Sequence, residues 1–485
     1  MDTQNYRKKV IGCWLGKAAG GTLGQPYEGC DGPLNLTYYN PVPTDMIPND
    51  DLDLQVLWAC TLDQMENPVV DRDIFAGAWL NHVDFPWDEY GIAIRNLRNG
   101  IKAPYSGSYD NWFIDGLGAA IRSEIWACMA PGRPELAAKY AYEDACVDHA
   151  GDGIYAEQFL SALESLAFTE NNMGKLLDSG LSVIPAESRL ALAIKDTREW
   201  CAESTDWKRI RLKILEKWGS ENFTDVVMNI PFAVMALILG NGDFSKTVCL
   251  AVNCGRDADC TAATVGAILG IINPDSIPEK WLKPIGRKLV INDGITGITH
   301  PDTLDGFTDM IISLRGKVSL RKEQAVSQID LSTHTLKAEC GIFSPWFAQD
   351  ENKFAPAMTS GVEVLEFQGT SGRIDAARIP SDSLYMMRFK FRLEKRQTLR
   401  VMFNTSSNSR VWIDGQYAFG REGGRIAPSF HRCPVNQYKD MELNAGEHEF
   451  LVGIAPLSDE KKIEWVIGVG DKASKQWLHD VWRNE

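Results

Sequence analysis

The sequence predicts a multi-domain α plus β protein, in which an all-α domain is followed by an antiparallel β-sandwich. Up to about residue 320, apolar residues recur at helical spacing in one segment after another. After about residue 322 the pattern changes to short alternating segments, which is typical of antiparallel strands. At about 100–200 residues per domain, the 485 residues allow two or three domains. We therefore place the first domain at 1–325 and the second at 326–485.

Helices are predicted in the first domain where Ala, Leu, Ile and Trp repeat at i, i+3 and i+4. Loops rich in Pro and Gly, as at 130–134 and 240–243, separate them. This region shows no convincing strand pattern, so we expect a compact helical domain. The predicted helices are Leu52–Met65, Leu117–Met129, Ile154–Phe168, Leu190–Cys201 and Val226–Leu239.

Strands are predicted in the second domain from alternating apolar and polar residues. Turn residues at Asp414-Gly415 and at 444–446 separate neighbouring strands. Residues 322–340 are expected to form the linker between the two domains. The predicted strands are Tyr385–Leu393, Thr398–Phe403, Arg410–Ile413, Glu449–Ile454 and Ile463–Ile467.

The composition excludes several classes of function. With 65 Asp and Glu against 50 Lys and Arg, the net charge is −15, which disfavours a nucleic-acid partner. No apolar run reaches the roughly 18 residues of a membrane span, so no membrane partner is expected. The 11 Cys are scattered without a CxxC pair, which indicates a reducing, cytoplasmic location. A removed secretory leader is the alternative that remains open.

Two acidic helix starts are the candidates for chemistry. The first is Asn49-Asp50-Asp51-Leu52-Asp53, where three carboxylates exceed what helix capping needs. The second, some 200 residues later, is Asp257-Ala258-Asp259, followed by small residues that predict a buried helix. Buried carboxylates must be paired, protonated or bound to a cation. One possibility is that the two helix starts share a divalent-cation site. The alternative is that the first start is a solvated helix cap, and that Arg256 forms an ion pair with the neighbouring aspartates of the second.

Five segments, in order over roughly residues 8–310, together resemble the ADP-ribosylglycohydrolase family of the dinitrogenase-reductase-activating type. Its G-x-P-x-E motif is matched by 24–28, which ends in Glu28, and its T-D-D-T motif by 49–52. Its G-G-D-T-D-T motif is matched by 255–260. Weaker matches are 115–122 and 148–155. The second domain has no counterpart in that family, and it resembles β-sandwich modules attached to glycosidases.

The resemblance implies a centre of two Mg²⁺ ions, with Mn²⁺ as a further possibility. By position in the motifs, the metal ligands would be Asn49, Asp50, Asp51, Asp257 and Asp259. Glu28 and Asp51 would be the catalytic carboxylates. Residues implied to bind the substrate are Asp115, Gly118, Arg122, His149 and Gly153. The sequence departs from the family motifs at two positions, where Leu52 and Cys260 replace hydroxyl residues. Because sulfur is a poor ligand for Mg²⁺, the alternative to a two-ion centre is a single ion.

The resemblance implies a hydrolase that cleaves an ADP-ribosyl N- or O-glycosidic linkage. The partner would be a small-molecule substrate, or a glycosylated or ADP-ribosylated one. Two other functions stay open. One is hydrolysis of another glycoside with the sandwich contacting carbohydrate, and the other is a catalytically silent binder of ADP-ribose or sugar, which Leu52 and Cys260 suggest.

Overall fold

The computed structural model describes residues 2–322, 335–344, 355–424, 426–430, 432–433, 435–457, 460–478 and 480–482. The chain divides into two compact units. The first consists of Met1–Phe85, Lys102–Ser108 and Phe113–Val326, and the second of Pro86–Ile101, Tyr109–Trp112 and Ser327–Glu485. The second unit therefore includes two short segments that precede residue 113. The boundary between 325 and 326 stays a prediction.

The described residues form sixteen α-helices, of which all except the one at Asp88–Arg98 lie in the first unit. They are α1 (Thr3–Gly24), α2 (Asp50–Asp63), α3 (Arg72–His82), α4 (Asp88–Arg98), α5 (Tyr105–Ser108), α6 (Ser123–Met129), α7 (Pro134–Ala145), α8 (Asp152–Ala167), α9 (Met173–Leu181), α10 (Arg189–Glu203), α11 (Trp207–Trp218), α12 (Val226–Gly240), α13 (Phe244–Asn253), α14 (Ala258–Ile272), α15 (Glu279–Leu282) and α16 (Leu304–Leu314).

Four of the five predicted helices are confirmed, as α2, α8, α10 and α12, with ends that differ by up to two residues. The predicted helix Leu117–Met129 is wrong in its first half. Residues 117–119 form a turn, Ala120–Arg122 form a single 3-10 turn, and only Ser123–Met129 are α-helical. Gly116 and Gly118 lower the helical propensity of this start.

The close packing of α1 on α14 determines where the second acidic helix start lies. Gly12, Gly16 and Gly20 occupy one face of α1 at four-residue intervals, and a Cβ on any of them would overlap a backbone carbonyl of α14. These carbonyls belong to residues 270, 266 and 262 in turn, so the two helices run antiparallel. At the end of this stripe, Gly24 lies against the backbone of Asp259. The Gly-rich opening of the chain therefore brings α1 to the first turn of α14.

One small strand pair lies in the helical unit, contrary to the expectation of no strand there. β1 (Val69–Val70) pairs in parallel with β2 (Ser319–Leu320). Two-residue strands are too short to show alternation, so the pattern could not predict them. Part of the expected linker at 322–340 lies outside the described residues, and Thr335 already begins a strand.

The second unit is an antiparallel β-sandwich, as predicted. Its strands are β3 (Thr335–Phe343), β4 (Ser360–Gln368), β5 (Ser371–Asp375), β6 (Leu384–Leu393), β7 (Gln397–Thr405), β8 (Asn408–Ile413), β9 (Gln416–Glu422), β10 (Tyr438–Leu443), β11 (Gly446–Ala455), β12 (Lys462–Asp471) and β13 (Gln476–Trp477). Six strands form one sheet in the order β4-β3-β6-β11-β8-β9, and a second sheet has the order β10-β7-β12-β13, with β5 also paired to β12. Phe389 of β6 and Trp465 of β12 lie in one buried cluster with ring centroids 5.7 Å apart, so the two sheets share a core.

All five predicted strands lie within observed ones, and the Asp414-Gly415 turn joins β8 to β9. Both turn residues have positive φ, 50° and 76°, as a two-residue hairpin turn requires. The early segments of the second unit are tied to its strands by Asp110. Its Oδ2 accepts hydrogen bonds from the Thr370 backbone N–H at 2.9 Å and from the Thr370 hydroxyl at 2.7 Å.

Candidate functional site

The first acidic helix start has a cap of its own, and the cap is not an aspartate. Asn49 Oδ1 accepts the Asp51 backbone N–H at 2.8 Å, so the oxygen expected to be a metal ligand is the one that caps α2. The Asn49 amide donates to Asp259 Oδ2 at 3.4 Å and so links the two helix starts. Asp51 is only 2 % exposed, and neither carboxylate oxygen has a hydrogen-bond partner among the described residues. Capping therefore does not explain Asp51.

The second acidic helix start also carries carboxylates that do not cap. Asp257 occupies the N-cap position of α14, yet its side chain makes no capping hydrogen bond. Asp257 and Asp259 are 2 % and 4 % exposed, and in the described part of the chain Oδ1 of each has no hydrogen-bond partner. Buried carboxylate oxygens left in this state are costly unless something positive is bound.

The structure brings the two starts together in two groups that share Asp259. One group is Asp51, Asp259 and Cys260, and the other is Glu28, Asp257 and Asp259. Within each group, one ligand atom from every residue lies within 4.8 Å of the others. Glu28 is exposed at the edge of the site, whereas the other members are buried. These are spacings that one cation per group could bridge.

Backbone pairing between two loops holds Glu28 beside Asp257. The Gly29 N–H donates to the Arg256 carbonyl at 2.8 Å, and the Arg256 N–H donates to the Cys30 carbonyl at 2.6 Å. Gly255 allows the close approach, because a Cβ there would lie 2.6 Å from the Cys30 carbonyl oxygen. The loop after α1 is thus fixed to the loop that precedes α14.

The electrostatics of the site favour a bound cation. Burial, and then the neighbouring carboxylates, raise the pKa of Asp257 well above its usual range and the pKa of Asp259 to about 6. Burial also raises the pKa of Asp51, although Lys17 opposes the shift. The Lys17 ammonium lies 3.9 Å from Asp51 Oδ1 but is only 2.7 Å from Glu124 Oε1. One shared ammonium cannot neutralise three buried aspartates.

The alternative in which Arg256 neutralises the aspartates of α14 has no support in the geometry. Arg256 Nη1 lies 3.0 Å from Asp31 Oδ1, on the exposed side of the loop. Its backbone is in the left-handed region at φ 63°. The ion pair of Arg256 is thus made with Asp31 and leaves Asp257 and Asp259 uncompensated.

The expected substrate residues Arg122 and His149 lie in a buried network. Arg122 is 0 % exposed, and its guanidinium is 2.9 Å from both Asp144 and Asp148. His149 is equally buried, with Nδ1 at 3.1 Å from Asp148 Oδ1 and Nε2 accepting the Ala119 N–H at 3.3 Å. Both side chains are therefore placed to position the 115–122 segment.

Asp115, Gly118 and Gly153 belong to the same region. Asp115 is partly exposed, and burial together with Asp225 and Asp152 raises its pKa to about 6. The Gly118 carbonyl accepts a hydrogen bond from Arg122 Nη1 at 2.8 Å. A Cβ on Gly153 would overlap the Ile114 carbonyl oxygen, so Gly153 permits the start of α8 to pack against this segment.

Sequence reasoning missed a buried polar network beside the metal candidates. Lys17, Gln55 and Glu124 are at most 1 % exposed, and both Lys17 Nζ and Gln55 Nε2 donate to the Glu124 carboxylate. A lone lysine within the apolar, Gly-rich pattern of α1 was the available signal. Lys17 and Asp51 also line an open pocket of ≈ 320 Å³ that reaches the start of α2.

The donor set fits divalent cations. Carboxylate oxygens from Asp51, Asp257, Asp259 and Glu28 are the ligands that Mg²⁺ and Mn²⁺ prefer. In the described part of the chain, both Asp51 oxygens and Oδ1 of Asp257 and of Asp259 are buried without a hydrogen-bond partner, which supports such a site. Asp53, two residues beyond Asp51, instead accepts the Asn292 backbone N–H at 3.0 Å and so holds a neighbouring loop.

Residues 2–313 match the family model described as ADP-ribosylglycohydrolase, and the chain belongs to that family. A curated relative, an uncharacterized protein of Archaeoglobus fulgidus, is 28 % identical over 298 residues, which cover 57 % of this chain and 91 % of the relative. A solved structure titled ADP-ribosylglycohydrolase-related protein complex is 21 % identical, with a TM-score of 0.42, covering 58 % of this chain and 94 % of that chain. None of the described helices is long and apolar enough to cross a membrane.

Proposed function

We propose that this chain is a divalent-cation-dependent hydrolase that cleaves an ADP-ribosyl N- or O-glycosidic linkage. The observation that carries the proposal is the group of buried carboxylates around Asp259, in which both Asp51 oxygens and Oδ1 of Asp257 and of Asp259 lack hydrogen-bond partners among the described residues. Membership of the family supports a glycohydrolase activity. The buried carboxylates are the candidate site for that activity. Mg²⁺ or Mn²⁺ is the proposed ion at Asp257 and Asp259, beside Glu28.

Each carboxylate has a separate proposed role. Asp51, Asp257 and Asp259 hold the centre, because they are buried and fixed by the first turns of α2 and α14. A divalent cation held by these residues would supply charge stabilisation and would make a nearby water easier to deprotonate. Glu28 is exposed at the edge of the group, so it can accept the proton of the attacking water beside the anomeric carbon. Asp51 is the second candidate for this base.

The segment 115–122 has a proposed part in holding the substrate. Asp115 and the backbone near Gly118 would contact it, whereas Arg122 and His149 act as positioning residues through Asp148. Because Arg122 and His149 are fully buried, replacing either one should disturb the structure of segment 115–122 rather than remove a direct contact with the substrate.

An assay in which the protein releases ADP-ribose from modified substrate proteins tests the proposed function. Substrates are a protein ADP-ribosylated on arginine and one modified on serine, which separate N- from O-linkages. Free ADP-ribose should appear, should cease with excess chelator and should return with Mn²⁺. Glu28→Gln should lower turnover by about 10²-fold or more, as loss of a general base does. The matched control is Glu216→Gln, an exposed glutamate of α11, which should leave turnover unchanged. Full activity in excess chelator would contradict the proposal.

A second candidate function has a specific observation in its favour. The second unit contains an open pocket of ≈ 440 Å³, and Trp112, Trp477, Arg95 and Asp110 are among its lining residues. Aromatic rings beside paired polar groups suit a sugar ring, which favours hydrolysis of another glycoside. Turnover of aryl glycosides without release of ADP-ribose would support this candidate. Binding of ADP-ribose with no turnover of either substrate would support a silent binder.

A further inference from the structure

The two ligand groups differ in chemistry, although they share Asp259. The group of Glu28, Asp257 and Asp259 offers oxygen alone. The group of Asp51, Asp259 and Cys260 includes a thiol sulfur that lies within 4.8 Å of a carboxylate oxygen from each partner. Cys260 is only 9 % exposed, in the first turn of α14.

The thiol is accompanied by an independent sign of a ligand. Both oxygens of the Asp51 carboxylate are buried and have no hydrogen-bond partner in the described ranges. The Lys17 ammonium lies 3.9 Å from Asp51 Oδ1, and it already donates a hydrogen bond to Glu124. The carboxylate is thus aimed into the group that contains the sulfur.

Sulfur and oxygen donors select different cations. Thiolate ligands favour Zn²⁺ and similar borderline ions, whereas Mg²⁺ is bound through oxygen. We propose that Asp51, Asp259 and Cys260 bind a divalent transition metal, Zn²⁺ or Co²⁺, through the Cys260 thiolate. The oxygen-only group remains the site for Mg²⁺ or Mn²⁺. On binding, the Cys260 proton leaves to solvent and a sulfur–metal bond forms.

This proposal rests on the same site as the proposed function, but it makes no assumption about the substrate. It predicts an asymmetric centre, in which two different cations are bound on either side of Asp259. Mg²⁺ alone would then leave one half of the centre poorly filled, because the sulfur contributes little to Mg²⁺ binding.

Titration of Co²⁺ into the full-length, metal-stripped protein tests the proposal by absorbance. A thiolate-to-cobalt charge-transfer band should grow in the near ultraviolet and saturate at one equivalent. Cys260→Ser should remove the band and lower Zn²⁺ affinity by at least about tenfold, measured by competition with a chromophoric chelator. Mg²⁺ affinity should change much less, because its proposed site has no sulfur.

Two control variants make the test specific. Cys249→Ser replaces a cysteine of α13 with similar burial, 8 % exposed, and should leave the band intact. Glu28→Gln alters only the oxygen group and should also leave it intact. Two results would overturn this proposal without contradicting the proposed metal centre. One is a wild-type protein that binds cations without any thiolate band, and the other is a band that persists in Cys260→Ser. A protein that binds no divalent cation would overturn both this proposal and the proposed function.

Discussion

The charges of Asp257 and Asp259 are the residue-scale feature on which the proposed metal centre depends. Asp257→Asn and Asp259→Asn keep the side-chain shape and remove one charge. If both are ligands, each variant should bind Mn²⁺ at least about tenfold more weakly, a loss of roughly 1.4 kcal/mol. Calorimetric titration into metal-free protein measures this.

The same variants separate ligation from ion pairing. Without a metal, each variant should be as stable as the wild type or more stable, since a repulsive buried charge has been removed. Lower stability of the metal-free variants with unchanged Mn²⁺ affinity would contradict the ligand assignment.

The ion pair of Asp148 with Arg122 is a second residue-scale feature, and its effect should be on stability. Burial alone would raise the pKa of Asp148, but Arg122 and His149 outweigh it and lower the pKa to about 2. The charged form therefore stabilises the fold above the unfolded pKa of about 3.9, and this stabilisation is lost as the pH falls towards 2.

Asp148→Asn should lower the free energy of unfolding at pH 7 by about 3–5 kcal/mol, because it breaks a fully buried ion pair. The difference from the wild type should shrink below about pH 4, where Asp148 of the unfolded wild type becomes protonated. Urea denaturation at several pH values measures both. A difference that stays constant from pH 7 to pH 3 would contradict the role of the charge.

At the scale of the element, the glycine stripe of α1 is the feature that places α14. Gly16→Ala would put a Cβ into the Gly266 carbonyl oxygen, so the two helices would have to separate. The expected loss of stability is about 1–3 kcal/mol, the usual cost of overpacking. Weaker Mn²⁺ binding should accompany it, because the first turn of α14 would shift away from α2.

The matched control is Gly77→Ala on α3, where nothing lies within 4 Å of the added Cβ. This variant should be unchanged, or more stable by up to about 1 kcal/mol, through the higher helix propensity of alanine. Thermal unfolding and calorimetric titration of both variants provide the comparison. Equal unfolding temperatures and equal Mn²⁺ affinities of Gly16→Ala and Gly77→Ala would show that the close approach of α1 and α14 does not position the site.

At the scale of the whole molecule, the second unit takes in segments from early in the chain. Asp110 is bound by Thr370, and Arg98 donates to Gln476. A truncated protein that ends at Lys322 would keep α4 but lose all the strands of the second unit. It should therefore expose apolar surface and aggregate, even though all the candidate ligands remain. A soluble, monomeric truncation with normal Mn²⁺ binding in light scattering and calorimetry would contradict this.

The sequence predicted the order of helical and sandwich domains and the two acidic helix starts, because periodicity and local motifs are properties of neighbouring residues. It could not place Lys17 against Asp51, or show Arg122 buried between Asp144 and Asp148, since these contacts join distant segments. It also could not assign 86–101 and 109–112 to the second unit. Nothing in their local pattern distinguishes them from the helical region around them.

Anomalous X-ray scattering from crystals of the Mn²⁺-loaded protein tests most directly whether Asp51, Asp257 and Asp259 hold divalent cations. We expect anomalous peaks within about 2.0–2.6 Å of carboxylate oxygens of these residues, with Asp259 next to both ions if two are bound. Crystals soaked with excess Mn²⁺ that show ordered Asp51, Asp257 and Asp259 side chains and no peak among them would contradict the assignment of these residues as metal ligands.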